Sequence, residues 1–334
     1  MATTLGIGIV GYGKVASRTH RHWIESRSDT RIVAVCDTTD VRLRAAAEDM
    51  PGIDTYDEYA DLLANTDVQL VVVTTPPSSH CDLAVRASAA LKHVFVDKPF
   101  AMTVREAEKM IKAAANHGVV IHCHQSRRYD GEYRAILRAV QSGEIGELIH
   151  VRRVWAQYGD GWANWGIEGF NPSWRIQREF GGGMVYDYAP HCGDQILRLV
   201  DKPLSRVLAD VRGIKFSKEV DDHFSCFMQF QGGQTAYLEA SNMTRLQAPH
   251  WYVTGTGGCI TAETVGGQIV IQTDGQEEPE ILDPVSERDQ LYENLVQSCL
   301  GRTTPNVTPA ELRESMALID AIFRSAKTGT AVDV

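Results

Sequence analysis

The sequence predicts an α/β protein: a doubly wound parallel sheet followed by an α+β region built on a large, mainly antiparallel sheet. Three observations predict it. The glycine turn Gly11-Tyr12-Gly13-Lys14-Val15-Ala16 stands directly behind the apolar run Leu5 to Val10. Apolar strands then alternate with helical patterns as far as Cys123, the pattern that right-handed crossovers turn into a parallel sheet. Beyond that point short alternating strands dominate, as in a sheet covered on one face. A chain of 334 residues exceeds what one hydrophobic core usually serves, so two domains are expected, residues 1–125 and 126–334.

Taken in order, Leu5 to Val10 is the first strand, and its glycine turn has a physical reading. The first glycine permits the tight strand-to-helix turn, the second lets the backbone approach a pyrophosphate, and the small Ala16 lets the helix pack on the sheet. Free N–H groups at the helix start face the anion. Arg31 to Cys36 is the second strand, closed by Asp37, about 20 residues beyond the turn, where an acid accepts hydrogen bonds from the adenosine ribose. This is the dinucleotide fingerprint of a Rossmann fold. A carboxylate there repels a 2′-phosphate, which favours NAD over NADP, with Arg42 the residue able to turn toward such a phosphate. The other reading, that Asp37 only caps the next helix, stays open beside Thr38, Thr39 and Asp40 as caps.

Helical spacing follows over Val41 to Met50, then a short strand Asp54-Thr55-Tyr56 and a short helix through Tyr59, Leu62 and Leu63. Val68 to Val73 reads as a strand covered on both faces. Thr74-Thr75-Pro76-Pro77-Ser78-Ser79-His80 ends it, with Ser78 or Ser79 placed to cap the helix carrying Leu83, Ala84, Ala87 and Leu91. Lys92 to Val96, Thr103 to His117 and Val119 to Cys123 complete the series as strand, helix and strand. In the second half, Tyr133 to Gln141 is helical and ends at Ser142-Gly143. Strands are expected at Leu148 to Trp155, Leu204 to Val211, Phe224 to Phe230, Thr235 to Ser241, Trp251 to Thr256 and Gly267 to Gln272. Gln231-Gly232-Gly233-Gln234 reads as a hairpin turn. Helices Gly193 to Val200 and Pro309 to Lys327 would cover one face of the sheet.

Two clusters could carry chemistry. Asp97-Lys98-Pro99 puts a lysine at the carboxyl end of a core strand, where open parallel sheets bind ligands. Lys98 could hydrogen-bond a reacting hydroxyl and stabilise a developing alkoxide, or it could be a solvated strand-end lysine. In Gly181 to Asp194, a helix would place Asp187 and His191 on one face with Asp194 a turn later, although Pro190 disturbs a regular helix. His191 is then the candidate base, or else a core histidine satisfied by Asp187 or Asp194. Trp155, Trp162, Trp165 and Trp174, interleaved with glycines, Tyr158 and Phe170, offer flat faces for a sugar-like ring or for a subunit interface.

Composition excludes other classes. Thirty-three basic against 43 acidic side chains give a net charge of −10 with no basic block, so nucleic acid and anionic membranes are poor partners. There is no leader pattern and no apolar stretch of membrane-spanning length, so a soluble cytoplasmic protein is expected. Seven cysteines are scattered without a Cys-x-x-Cys pair and read as reduced core thiols. In His122-Cys123-His124, strand alternation turns Cys123 away from the histidines, and no metal site is expected.

Together these motifs resemble the glucose–fructose oxidoreductase, inositol dehydrogenase and rhizopine catabolism protein (Gfo/Idh/MocA) family. The likeness rests on the glycine turn, Asp37, Thr75-Pro76-Pro77-Ser78-Ser79-His80, Asp97-Lys98-Pro99, Arg127-Arg128-Tyr129-Asp130, Gly181 to Asp194, and Ser325-Ala326-Lys327-Thr328-Gly329. The usual Glu-Lys-Pro is Asp-Lys-Pro here. The resemblance implies a catalytic set of Lys98, Asp187 and His191, with His191 the base. It implies a cofactor set of Gly11, Tyr12, Gly13, Lys14, Val15, Asp37, Thr74, Thr75, Pro76, His80, Asp97 and Lys98, and a substrate set of Arg127, Tyr158, Trp174, Arg175, Asp187 and His191. The implied activity is NAD-dependent oxidation, or the reverse reduction, of a secondary hydroxyl on a cyclic sugar, polyol or related ring. Gln125 to Asp130 looks most like the inositol dehydrogenase branch, whereas Trp155 to Phe180 does not match it. The same resemblance extends to hydrolases that use tightly held NAD for transient oxidation and to regulators that sense NAD without turnover. It also implies a homo-oligomer, dimer or tetramer, paired through the open face of the second sheet.

Overall fold

The computed structural model describes residues 4–162 and 173–334. Two compact units divide the chain. The first runs to His124 and takes in the described part of 161–181 and Asp289–Arg313; the second holds Gln125–Asp160, Gly182–Arg288 and Glu314–Val334.

The first unit is built on six parallel strands, β1 (Leu5–Val10), β2 (Thr30–Cys36), β3 (Asp54–Tyr56), β4 (Leu70–Val73), β5 (His93–Val96) and β6 (Ile121–Cys123), in the order β3-β2-β1-β4-β5-β6. Between them run α1 (Arg21–Glu25), α2 (Asp40–Asp49), α3 (Tyr59–Ala64), α4 (His80–Ala89) and α5 (Val104–His117). Every residue of β1 and β4 is buried, as a sheet covered on both faces requires. Register then places the chemistry. Val10 pairs with Cys36 and with Val73, and Val73 pairs with Val96, so Gly11, Asp37, Thr74 and Asp97 stand side by side along one sheet edge. The strand order reverses between β1 and β4, the switch point where such sheets bind ligands. Thr103 caps α5 by accepting the Glu106 N–H at 3.1 Å. The expected serine cap of α4 is not made. A tight turn, Pro77–Ser79, precedes the helix, and the Ser79 hydroxyl donates back to the Pro76 carbonyl at 2.8 Å.

The second unit begins with α6 (Gly131–Gln141) and β7 (Leu148–Ala156), followed by α7 (Met184–Tyr188) and α8 (Asp194–Val200). Strands β8 (Leu204–Arg212), β9 (His223–Phe230), β10 (Thr235–Ser241), β11 (Trp251–Gly255), β12 (Gly258–Ala262), β13 (Ile269–Thr273) and β14 (Glu280–Leu282) come next. α9 (Asp289–Cys299) belongs to the first unit, and α10 (Pro309–Thr328) and β15 (Val332–Asp333) end the chain. The nine strands run β14-β13-β12-β11-β7-β10-β9-β8-β15, antiparallel except for the parallel pair β7–β10. The expected hairpin joins β9 to β10, with Phe230 N–H donating to the Gln234 carbonyl at 3.0 Å. Burial alternates: Phe224, Cys226, Met228 and Phe230 point inward while Phe227 is exposed. Leu208, Phe227, Tyr237, Arg152 and Tyr252 are directly paired neighbours, a largely apolar row across the outer face. Strands β12, β14 and β15 and helix α9 extend beyond the elements the sequence predicts. Among the described residues no helix is long and apolar enough to cross a membrane.

Candidate active site

Gly11 takes φ +87°, and a Cβ on it would lie 2.8 Å from Thr75 Cγ2 and 3.0 Å from the Thr74 carbonyl carbon. Only glycine lets β1 turn this close to the exit of β4. The Thr74 hydroxyl fastens the junction, donating to the Gly11 carbonyl at 2.6 Å with the Val10 carbonyl 3.1 Å away. A Cβ on Gly13 would meet nothing nearer than Arg42 Nη1 at 3.7 Å, so the turn's backbone is open to a ligand on that side. Partial burial and the nearby cations Arg18 and Arg175 push the Lys14 ammonium below its ordinary range. An open glycine backbone ringed by cations fits the pyrophosphate of a dinucleotide.

Asp37 is buried at the end of β2 and bridges the turn to α2. Its Oδ2 accepts the Tyr12 N–H at 2.7 Å, while Oδ1 accepts the Thr39 N–H at 3.0 Å and hydroxyl at 2.8 Å. The α2 N-cap is Thr39, so Asp37 is not itself the cap. Arg42 Nη1 stands 3.7 Å from Asp37 Oδ2, a cation beside this buried carboxylate. Tyr12 points inward, its hydroxyl donating to Asp49 at 2.8 Å, and contributes backbone to the turn. Val15 closes the turn as N-cap of a wide π-helical turn, Ala16–His20, that leads into α1.

The exits of β4 and β5 are tied together. His80 is 1 % exposed, and its ring nitrogens contact the carbonyls of Thr75 and Pro99, each at 2.9 Å. Burial pulls its pKa below the usual histidine range. His80 thus holds the Thr75-Pro76 loop against the Lys98-Pro99 loop, whose connecting peptide is cis. Thr75 Oγ1 and Ser79 Oγ share a bond of 2.6 Å. Asp97 accepts from His124 Nδ1 at 2.8 Å, which holds its carboxyl far below the usual carboxylate range despite burial. Lys98 follows directly at the sheet edge.

In the second unit, residues 184–200 form one helical path through α7, a π-helical turn Ala189–Gly193 and α8. Pro190 lacks an N–H and would clash with the preceding turn of an α-helix; the wider turn accommodates it. Asp187 and His191 lie half-buried on this path. Its start is fixed by Asp221, whose Oδ2 accepts the Val185 N–H at 2.7 Å and whose carbonyl accepts the Met184 N–H at 3.1 Å. Gly183 has φ +111°, and a Cβ there would lie 2.4 Å from Asp221 Oδ1. Burial pushes the Asp221 carboxyl up to about 6. Farther along, Asp194 is held by Arg128, two bonds of 2.6 and 2.7 Å, and by the Ser315 hydroxyl at 3.1 Å.

Arg127 lies 4.3 Å over the Trp155 ring and donates to Asp130 at 2.9 Å. Trp155 also meets Tyr188 and His250, at 5.1 and 5.2 Å between centroids and with the rings tilted, so Arg127 connects to the helical path of His191 through Trp155 and Tyr188. Burial, Arg153 and Arg127 pull His250 down to about 4. Tyr158 is exposed, with its hydroxyl taken by Lys215 Nζ at 2.8 Å and its face by Arg245 at 3.7 Å. Trp174 and Arg175, stacked at 4.3 Å, belong to the first unit, where Arg175 acts on Lys14. That places them by the glycine turn. Trp162 is buried, whereas Trp165 and Phe170 lie outside the described residues. Sequence reasoning missed Asp221; its only trace is an acid pair, Asp221-Asp222, just before a strand.

A parallel sheet with a glycine turn and a buried acid at its switch point, joined in one chain to a helix-backed antiparallel sheet, is the architecture of two-domain dinucleotide-binding oxidoreductases. Comparison with known proteins specifies the family. Residues 5–125 match the oxidoreductase family with an NAD-binding Rossmann fold, GFO_IDH_MocA, and residues 133–261 match the GFO/IDH/MocA C-terminal domain. An NAD-binding protein from Listeria innocua superposes with a TM-score of 0.88 at 30% identity, over 99% of this chain and 97% of that one. Inositol 2-dehydrogenase of Salmonella typhimurium is 36% identical over 154 residues, 45% of this chain and 46% of the enzyme. 1,5-Anhydro-D-fructose reductase of Ensifer adhaerens is 25% identical over 98% of both chains. The chain belongs to the Gfo/Idh/MocA family and is a dehydrogenase acting on CH–OH groups with a nicotinamide cofactor.

Proposed function

We propose that the protein oxidises a secondary hydroxyl of a cyclic sugar, polyol or related ring, or reduces the matching ketone, with NAD as cofactor. The observation that carries this reading is the single sheet edge on which Gly11, Asp37, Thr74 and Asp97-Lys98 stand in register. It is supported by relatives whose names are inositol 2-dehydrogenase and 1,5-anhydro-D-fructose reductase. The bound nicotinamide would exchange a hydride with the carbinol carbon. Gly11, Gly13, Lys14 and Arg175 would hold its pyrophosphate and Asp37 its adenosine ribose. His191 takes the hydroxyl proton, Asp187 orients the imidazole, and Lys98 donates a hydrogen bond to the oxygen as charge develops on it. Arg127 and the Trp155 stack recognise the ring.

NADH formation across a panel of cyclic polyols and sugars tests the reading; unchanged turnover in both His191→Ala and Lys98→Met overturns the assigned roles. For the cofactor, Asp37 favours NAD, and a tighter dissociation constant for NADP would refute that use of it. We also propose self-association through the outer face carrying Leu208, Phe227 and Tyr252. Light scattering should find a dimer or tetramer, and Phe227→Glu should yield monomer.

A further inference from the structure

We propose that His20, Asp97 and His124 form a buried site for a divalent transition metal, one that zinc can occupy. Residues from three separated segments meet here. His20 ends the π-helical turn after the glycine loop, Asp97 follows β5 and His124 follows β6. One ligand atom from each lies within 4.8 Å of the others. Two imidazoles and a carboxylate suit zinc, which takes three protein ligands and a fourth small one.

A second observation points to the same place. His20 is 0 % exposed, yet its Nε2 has no hydrogen-bond partner among the described residues. Buried polar nitrogens are almost always paired. The other edges of both rings are held by one residue, since the Tyr292 hydroxyl lies 3.0 Å from His20 Nδ1 and 3.5 Å from His124 Nε2. Such outer-shell contacts fix the rings of metal-binding histidines. The nitrogens turned away from Tyr292 are the orphaned His20 Nε2 and His124 Nδ1, and the latter already points at Asp97. Phe95 packs edge-on against both rings at 5.5 and 5.6 Å, which sets their planes. When the cation takes the Nδ1 lone pair, the His124 proton stands on Nε2, directed at the Tyr292 hydroxyl oxygen. The Asp97 side chain, 14% exposed, provides the entry.

The test uses the full chain, stripped with a chelator, equilibrated with Zn²⁺ and freed of excess by gel filtration. About one zinc per chain should be retained by elemental mass spectrometry, falling at least tenfold in His20→Gln and Asp97→Asn. Wild-type retention below about one zinc in ten chains overturns the site, as does retention unchanged in both variants. If a variant unfolds by circular dichroism, zinc-edge X-ray absorption of the wild type decides. Scattering from two imidazoles supports the site, and a shell without histidine overturns it. None of these readouts depends on dehydrogenase activity.

Discussion

In the parallel sheet of the first unit every residue of β1 and β4 is buried, whereas in the nine-stranded sheet Leu208, Phe227 and Tyr252 face outward between buried neighbours. A sheet closed on both faces leaves only its strand exits for chemistry. There position follows from register, so residues that directly succeed a strand become neighbours. The second unit puts its candidate groups on a helical path instead. That path is oriented by side chains distant in sequence: Asp221 at its start, and Arg128 and Ser315 on Asp194. One region is set chiefly by strand register, whereas the other depends on side chains that reach it from distant parts of the sequence.

The sharpest break of this contrast takes one residue from each region. Lys98→Met and His191→Ala should each lower turnover by about 10²–10⁴-fold, while His191→Ala leaves NAD binding, followed by tryptophan fluorescence, within about twofold. Next comes the carboxylate that orients the helix. The Asp221 carboxyl rises from 3.8 to about 6 on burial, so the folded state holds its proton more tightly than the unfolded chain. Its contribution to stability is therefore full below 3.8 and lost as pH rises through about 6. Asp221→Asn, neutral and still able to accept the Val185 N–H, should raise stability at pH 8 by up to about 3 kcal/mol and change little at pH 4. Urea unfolding at the two pH values checks this.

A smaller effect belongs to the edge set by register. Gly11→Ala forces a side chain into a left-handed backbone and against Thr75, at about 1–3 kcal/mol, and should weaken NAD binding at least about fivefold by titration calorimetry. Smallest is a change on neither device. The Arg31–Asp67 pair is exposed, and Arg31→Ala should move unfolding stability by less than about 0.5 kcal/mol.

The same contrast explains what could be read from sequence. The strand runs, the glycine turn, Asp37 and the place of Lys98 are local patterns and were legible. The cap expected at Ser78 or Ser79 failed because a tight turn turns the Ser79 hydroxyl back to Pro76. Helix α9 carries a helical apolar spacing in Leu291, Leu295, Val296 and Cys299, but its partners lie in the other half of the chain. Strand β12 starts at a glycine and has too short an apolar run to stand out; pairing with β11 and β13 defines it. Asp221 and Tyr292 act on residues far away in sequence, which no spacing rule reaches.

His80 has a consequence for anyone redesigning this enzyme. Because one buried ring contacts both the Thr75 and the Pro99 carbonyls, the loops after β4 and β5 form a single transplantable block. A chimera that imports one loop from a relative without its matching histidine and partner loop would inherit a broken splice, and recombination breakpoints belong outside Thr74–Phe100.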